Sequence, residues 1–236
     1  MTNKEQNEAL QSHFEILPKE QRALWEELKP LQGMGFVLYG GTAIALRLGH
    51  RVSIDFDFFS NNPLNKQQLW KLLPCLQKGV LLQDEPQAIT SLVKPASEGG
   101  DSTVKLSMFW GLKLGRLAEP QLTQDGIALV ASNEDLLASK LKVILQRAEA
   151  KDYIDIAALL SQALTSNAAR TLAAGLSGAS ALYSSTFQPA EALKALVFFE
   201  DGDLGSLPLS TRQQLQTAVS QLGPLPPPPP VIPHLN

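Results

Sequence analysis

Short apolar runs dominate the first half of the chain and predict strands. Bounded by glycine, proline or polar residues, these runs lie at 36–39, 52–59, 80–84, 88–94, 103–110 and 126–132. Leucines and alanines at helical spacing predict helices at 18–33, 42–48 and 65–78. Strands interleaved with helices predict an α+β fold with a mixed β-sheet flanked by helices.

After residue 131 the pattern becomes helical. Leucines at helical spacing predict a helix over 133–148, with Asn133 as the expected N-cap and Arg147 in the last turn. Further helices are expected over 152–164 and near 167–182, 189–199 and 209–222. The final "GPLPPPPPVIP" predicts polyproline II.

These patterns divide the chain into three predicted regions. Residues 1–131 are predicted to form an α/β core with an N-terminal helix, and 132–222 a helical region. Residues 223–236 form a proline-rich tail. We expect the strands and the first of the later helices to carry the chemistry.

Composition narrows the classes of function. Of 236 residues, 44% are hydrophobic and 18% charged, as in a globular protein. The net charge of −3 argues against broad coating of nucleic acid, and the single cysteine, Cys75, excludes an internal disulfide framework. The polar N-terminus has no apolar signal region, and no run reaches the ~20 apolar residues of a membrane helix. We therefore expect a cytoplasmic protein with no membrane partner.

Two carboxylates interrupt an apolar strand in "SIDFDFFS". Asp55 and Asp57 are two residues apart, so a strand places them on one face, roughly 6 to 7 Å apart. The opposite, apolar face would consist of Ile54, Phe56 and Phe58. Neighbouring like charges need a cation, which is either a metal ion or a basic side chain. The basic candidates are Arg47, Arg51 and Lys140.

A glycine pair lies upstream of these carboxylates. Gly40 and Gly41 follow a predicted strand and precede a predicted helix, where backbone N–H groups and a helix N-terminus can hold a phosphate. Thirteen residues separate Gly41 from Asp55, enough for a short helix that returns the chain beside the turn. A phosphate site and a metal site would then be adjacent.

The stretch "YGGTAIALRLGHRVSIDFDFFS" resembles the DNA polymerase β type of nucleotidyltransferase, and more closely the AbiEii/AbiGii toxin branch. A second block, "LLASKLKVILQRAEAKDYIDIAALL" at 136–160, is similar to the later Lys-Leu, Arg and Asp-aromatic-x-Asp segment of that branch. The resemblance covers roughly residues 30–165.

This resemblance implies transfer of a nucleoside monophosphate from an NTP to an RNA (tRNA-like) or protein acceptor, with release of pyrophosphate. It implies Asp55 and Asp57 as Mg²⁺ ligands and Lys140 as a ligand of the nucleotide phosphate. It further implies Asp152 as the candidate general base. The triphosphate would be held by Gly40, Gly41 and Thr42, the last through its hydroxyl. A cognate antitoxin would be a partner.

One position departs from the polymerase type, which supplies a third carboxylate from a later strand. The candidate strand here carries Lys105 and Ser107 instead. Either Asp152 completes the site, or metal binding is weakened and activity is lost. The alternatives are therefore a catalytically inactive nucleotide- or partner-binding module, and a structural protein whose aspartates pair with arginines.

Lys140 and Asp152 are expected to reach the same cleft as the two aspartates. Lys140 lies near the edge of the apolar helix face, where a lysine can bury its stem and extend its ammonium toward a triphosphate. Alanine at position 140 is therefore expected to abolish transfer with little change in melting temperature.

Overall fold

The computed structural model describes residues 9–95, 102–111, 115–162 and 167–233. The chain divides into two compact units. The first is made of Met1–Lys113 and Glu119–Ala131, and the second of Leu114–Ala118 and Ser132–Leu235.

Among its described residues, the first unit contains a seven-stranded mixed sheet in the order β3-β4-β5-β2-β1-β7-β6. The strands are β1 Val37–Tyr39, β2 Asp55–Phe59, β3 Val80–Glu85, β4 Ala88–Val93, β5 Val104–Phe109, β6 Gln121–Leu122 and β7 Leu129–Val130. The β1–β7 and β2–β5 pairs are parallel and the other pairs antiparallel. The predicted mixed sheet is confirmed, although β6 was not predicted because two residues show no periodicity.

Two of the helices predicted in the first unit are divided, whereas the helix predicted to start at 42 begins two residues earlier. The helices are α1 Lys19–Trp25, α2 Pro30–Gly33, α3 Gly40–Leu48, α4 Lys66–Leu72 and α5 Pro74–Gln77, with 3₁₀ turns at Phe14–Ile16 and Glu26–Leu28. The helix predicted over 18–33 is interrupted by the second of these turns, and Pro30 starts a new helix. Pro74 divides the helix predicted over 65–78 in the same way, because proline fits the first turn of a helix but not its interior.

Alternation along β2 separates a core face from a partly open face. Phe56 and Phe58 are 0% and 1% exposed, and the ring of Phe56 lies 5.7 Å from that of Trp25. Full burial of such a side chain contributes about 1.5–3 kcal/mol. The prediction that Ile54 belongs to the buried face was wrong, since the strand begins at Asp55 and Ile54 is 66% exposed.

The described part of the second unit is helical, as predicted. Its helices are α6 Asn133–Val143, α7 Ala150–Ser161, α8 Ala168–Tyr183, α9 Pro189–Val197 and α10 Leu209–Ser220, with 3₁₀ turns at Ser184–Thr186 and Leu204–Ser206. The predicted N-cap of α6 was one residue too late. Ser132 is the cap, and its Oγ accepts from the backbone N–H of Asp135 at 3.0 Å.

The proline-rich tail forms no helix over its described residues, and 234–236 lie outside them. The carbonyl oxygen of Pro226 accepts a hydrogen bond from Ser177 Oγ at 2.7 Å. Further along, the Ile232 N–H donates to the Arg116 carbonyl at 2.8 Å, in an isolated antiparallel bridge. The tail is therefore attached to the second unit at two points.

Helix length and hydropathy bear on membrane insertion. In the ranges given above, none of the helices combines the length and the apolar character needed to span a bilayer.

Candidate active site

Asp55 and Asp57 lie on one face of β2, which we call the acidic face. Both are partly exposed, whereas Phe56 between them is buried. The side chain of Asp55 is 32% exposed. The prediction that the two aspartates share a face is thus confirmed, and both can be reached from solvent.

The glycine turn lies directly beside these carboxylates. Antiparallel pairing of β1 with β2 places Tyr39 opposite Asp57, and α3 starts at the next residue, Gly40. Gly40 has a φ of +72°, and a Cβ added there would lie 2.7 Å from Asp57 Oδ2. Glycine is therefore required at position 40 both for its backbone conformation and for the approach of Asp57.

Gly41 provides space for a different neighbour. A Cβ at this position would collide with Nη2 of Arg51 and lie 3.0 Å from Ser53 Oγ. The Arg51 guanidinium also donates from Nη1 to the carbonyl oxygen of Val52 at 2.9 Å. A positive charge therefore lies against the first turn of α3, whose backbone N–H groups already favour an anion.

Thr42 has a different role from the one expected. It is 1% exposed, its hydroxyl donates to the carbonyl oxygen of Asp55, and it lies 2.9 Å from Ser53 Oγ. A buried hydroxyl with these partners is not available to a triphosphate. Thr42 instead fixes the start of α3 to the start of β2, and so holds the glycine turn beside the aspartates.

Arg47 was one of the basic side chains considered as a partner for the aspartates. Its guanidinium donates to the carbonyl oxygens of Ala131 and Val130, at 2.7 and 3.1 Å, and to Gln121 Oε1 at 2.7 Å. These bonds attach α3 to the β6–β7 end of the sheet. Arg47 thus has a structural role.

The strand beside β2 carries the polar residues expected from the sequence. In the parallel β2–β5 register, Lys105 is paired with Asp55 and Ser107 with Asp57. Lys105 Nζ lies 3.9 Å from Asp55 Oδ2, a distance typical of an ion pair without a hydrogen bond. The missing strand carboxylate is therefore a feature of the folded site as well as of the sequence.

The second sequence block forms a buried charge cluster within the second unit. Lys140 on α6 is 5% exposed, and its ammonium lies 2.6 Å from Asp152 Oδ1 and 2.7 Å from Asp155 Oδ2. Both aspartates, on α7, are fully buried. Arg147 donates from Nε to Asp152 Oδ2 at 2.8 Å and from Nη2 to Oδ1 at 3.2 Å. The cluster therefore ties α6 to α7.

The contacts of Lys140 and Asp152 bear on the chemistry expected of them. The Lys140 ammonium lies against two carboxylates, so a phosphate bound there would share its charge with two buried anions. Burial alone raises the pKa of Asp152, but hydrogen bonds from Arg147 and the charge of Lys140 outweigh it, and the pKa lies below its ordinary 3.8. A carboxylate with a lowered pKa and both oxygens occupied is a weak base.

Asp155 is the member of this cluster that the sequence analysis did not assign. The sequence could have indicated Asp155 through its spacing from Asp152, because residues at i and i+3 lie on one face of a helix. The expectation that the two blocks meet in one cleft stays a prediction.

A mixed sheet that holds a Gly-Gly turn beside an Asp-x-Asp strand defines the nucleotidyltransferase fold. The chain belongs to the nucleotidyl transferase AbiEii toxin family of type IV toxin–antitoxin systems, whose family model matches residues 22–232. The match extends well beyond the segment in which the sequence showed a resemblance and includes most of the proline-rich tail.

Solved structures of low sequence identity share this fold. Protein JHP933 of Helicobacter pylori is 20% identical with a TM-score of 0.55, covering 85% of this chain and 89% of that one. The MenT4 nucleotidyltransferase toxin of Mycobacterium tuberculosis is 15% identical with a TM-score of 0.53, covering 86% and 83%. A nucleotidyltransferase-like antigen of Paracoccidioides brasiliensis is 18% identical with a TM-score of 0.53, covering 89% and 94%.

One curated protein is similar in sequence. An uncharacterized protein of Aquifex aeolicus is 30% identical over 146 residues, which is 59% of this chain. The match spans 65% of the length of that relative.

The two glycines of the turn are expected to respond differently to alanine. Gly40→Ala should lower the free energy of unfolding by about 1–3 kcal/mol, because alanine is strained at positive φ and its Cβ would press on Asp57. Gly41→Ala should lower it less, because Gly41 has no positive φ and the flexible end of Arg51 can move away, which leaves the contact with Ser53 Oγ as the main cost. Urea unfolding of both variants measures the difference, and equal effects would contradict these separate roles.

Removing the Lys140 ammonium is expected to destabilise the protein, contrary to the expectation from the sequence. Lys140→Ala leaves two buried carboxylates without this partner, at a cost of about 3–5 kcal/mol. The melting temperature should fall by roughly 5 °C or more. Lys151→Ala is the control, because its pair with Glu149 is exposed and such pairs contribute little. An unchanged melting temperature in Lys140→Ala would refute this role.

The lowered pKa of Asp152 predicts a loss of stability in acid. Because its folded pKa lies below the unfolded value, its ionised form stabilises the fold above pH 3.8, and this contribution is lost as the pH falls through the folded pKa. The stability difference between wild type and Asp152→Asn should therefore shrink from pH 6 toward pH 3. Urea midpoints measured across this range test it, with the exposed Glu134→Gln as control. Parallel curves would contradict the prediction.

Proposed function

We propose that this chain is a metal-dependent nucleotidyltransferase that transfers a nucleoside monophosphate from an NTP to an acceptor hydroxyl. The acceptor oxygen would form a bond to the α-phosphorus, the bond from that phosphorus to the bridging oxygen would break, and pyrophosphate would leave. The observation that carries this proposal is the contact between the Gly40–Gly41 turn and the carboxylate of Asp57. Membership of the AbiEii family supports it.

In this proposal the triphosphate lies against the first turn of α3. The backbone N–H groups of Gly40 and Gly41 would bind its oxygens, as free amides at a helix N-terminus favour anions. Arg51, which contacts Gly41, adds a positive charge at the same place. Thr42 contributes by positioning, because its hydroxyl is bonded to the backbone of Asp55.

Asp55 and Asp57 fit a divalent ion such as Mg²⁺. Magnesium in phosphate-transfer sites commonly takes one or two carboxylates, and phosphate oxygens and waters complete its shell. Two partly exposed carboxylates on one strand face, beside a phosphate-binding turn, match that donor set. A bound ion would supply positive charge that neutralises and orients the phosphate oxygens.

Lys140 and Asp152 enter the proposal as positioning residues. The family resemblance assigns them to the site, while their contacts show a buried cluster that holds α6 against α7. Their contribution to activity would then follow from the arrangement of these helices. A loss of activity in Lys140→Ala has to be compared with its loss of stability.

We propose an RNA end or a protein hydroxyl as acceptor, and a cognate antitoxin as partner, in the cytoplasm. The toxin–antitoxin family supports the antitoxin, and the single cysteine supports a reducing compartment. The second candidate function is a catalytically inactive module that binds a nucleotide or a partner. The lysine and serine that occupy the place of the third carboxylate favour this alternative.

Transfer from labelled nucleotide tests the proposed reaction. Purified protein is incubated with each α-³²P-labelled NTP, Mg²⁺ and total cellular RNA or protein. Label should become covalently attached with wild type and fall to background with Asp57→Asn, because the variant loses a charged metal ligand. Sensitivity of the product to ribonuclease or to protease identifies the acceptor.

The matched control is Asp84→Asn, an acid on β3 of the same unit whose side chain is 50% exposed. It should label like wild type. Labelling that persists in Asp57→Asn would exclude the proposed site. Nucleotide binding without any transfer, across all four NTPs and both acceptor pools, would establish the inactive alternative.

A further inference from the structure

The acidic face of β2 has no acid beside it on the neighbouring strands. On β5, Lys105 is paired with Asp55 and Ser107 with Asp57. On β4, the next strand, Leu92 is paired with Lys105 and Thr90 with Ser107. Over the residues that the structure describes, no three His, Cys, Asp or Glu side chains group so that they could hold a metal ion. Among the residues paired across β2, β5 and β4 at these two positions, Asp55 and Asp57 are thus the carboxylates that could bind a metal ion.

Lys105 brings a positive charge to this pair. Its Nζ lies 3.9 Å from Asp55 Oδ2, and the two side chains are 43% and 32% exposed. Because this separation exceeds a hydrogen bond, the ammonium acts on Asp55 through its charge. A cation bound by Asp55 would share that carboxylate with Lys105.

The number of anionic ligands limits how many divalent ions such a site can bind. Sites that use two ions hold them about 3.5–4 Å apart, and this requires carboxylates enough to offset the repulsion between them. A second ion here would lie near a lysine, and like charges a few Å apart repel. Two carboxylates, together with phosphate oxygens and waters, can complete the coordination shell of one ion.

We propose that Lys105 makes this a site for a single divalent ion. Asp55 and Asp57 hold one cation, and the ammonium of Lys105 provides the second positive charge that faces the triphosphate. Lys105 is then a triphosphate-binding residue at the place where a third carboxylate would otherwise bind a second ion. This inference rests on the proposed function, and specifies how many ions the reaction uses.

Mn²⁺ binding tests the number of ions without measuring activity. The signal of free Mn²⁺ in electron paramagnetic resonance is followed during titration of the full chain, alone and with the α,β-methylene analogue of each ribonucleoside triphosphate in turn. Wild type should bind one Mn²⁺ per chain.

Substitution of Lys105 should change the affinities for metal and nucleotide in opposite directions. Lys105→Ala and Lys105→Gln should bind Mn²⁺ roughly tenfold more tightly without nucleotide, because the competing charge near Asp55 is removed. Both should bind the triphosphate analogue more weakly. Lys105→Arg should resemble wild type, and the exposed Lys78→Ala is the control for loss of a positive charge elsewhere on the first unit. If Lys105 had a purely structural role, neither the affinity for Mn²⁺ nor that for the analogue would change.

Two Mn²⁺ per wild-type chain would overturn the inference and leave the proposed reaction intact. Unchanged or weaker Mn²⁺ binding by the Lys105→Ala and Lys105→Gln variants would also overturn it, as would an unchanged affinity for the analogue. Mn²⁺ binding that survives Asp57→Asn would show instead that the proposed metal site is wrong. A wild type that binds no Mn²⁺ would overturn both.

Discussion

The contact between the start of α3 and the start of β2 is the constraint on which the candidate site depends. Gly40 has no side chain, so the carboxylate of Asp57 can approach the turn. The Thr42 hydroxyl, bonded to the backbone of Asp55, keeps the helix and the strand from separating. The helix end attracts anions, but a triphosphate bound there would lie beside two carboxylates of the same sign. A cation between substrate and protein would offset that repulsion.

The second unit depends on a different kind of interaction. Burying one ammonium with two carboxylates costs desolvation energy, and this cost is offset only when every charge has close partners. Lys140 meets Asp152 and Asp155 at 2.6 and 2.7 Å, and Arg147 adds bonds to Asp152. Such a cluster tolerates one relative placement of α6 and α7, because any shift would leave a charge unpaired. It therefore adds geometric specificity where apolar packing alone would permit sliding.

The parts of the fold that follow from local pattern could be predicted, and the parts that depend on distant partners could not. Alternation alone placed Asp55 and Asp57 on one face, and the glycines indicated the turn. The role of Thr42 was misjudged because its partner, the carbonyl of Asp55, comes close only after folding. The ion pairs of Lys140 cross between two helices, so no periodicity within α6 could indicate them. The cap of α6 was misplaced because serine and asparagine, both good caps, are adjacent there.

The two attachment points of the tail have a consequence for variation in its length. Five consecutive prolines, 226–230, begin at the first of these attachments and lead toward the second. Prolines carry no N–H group, so this stretch can form no ladder of its own, and its two ends are held by the anchors. An insertion or deletion between the two attachment points would therefore displace one anchor relative to the other, whereas a substitution that keeps the number of residues would leave both anchors in register.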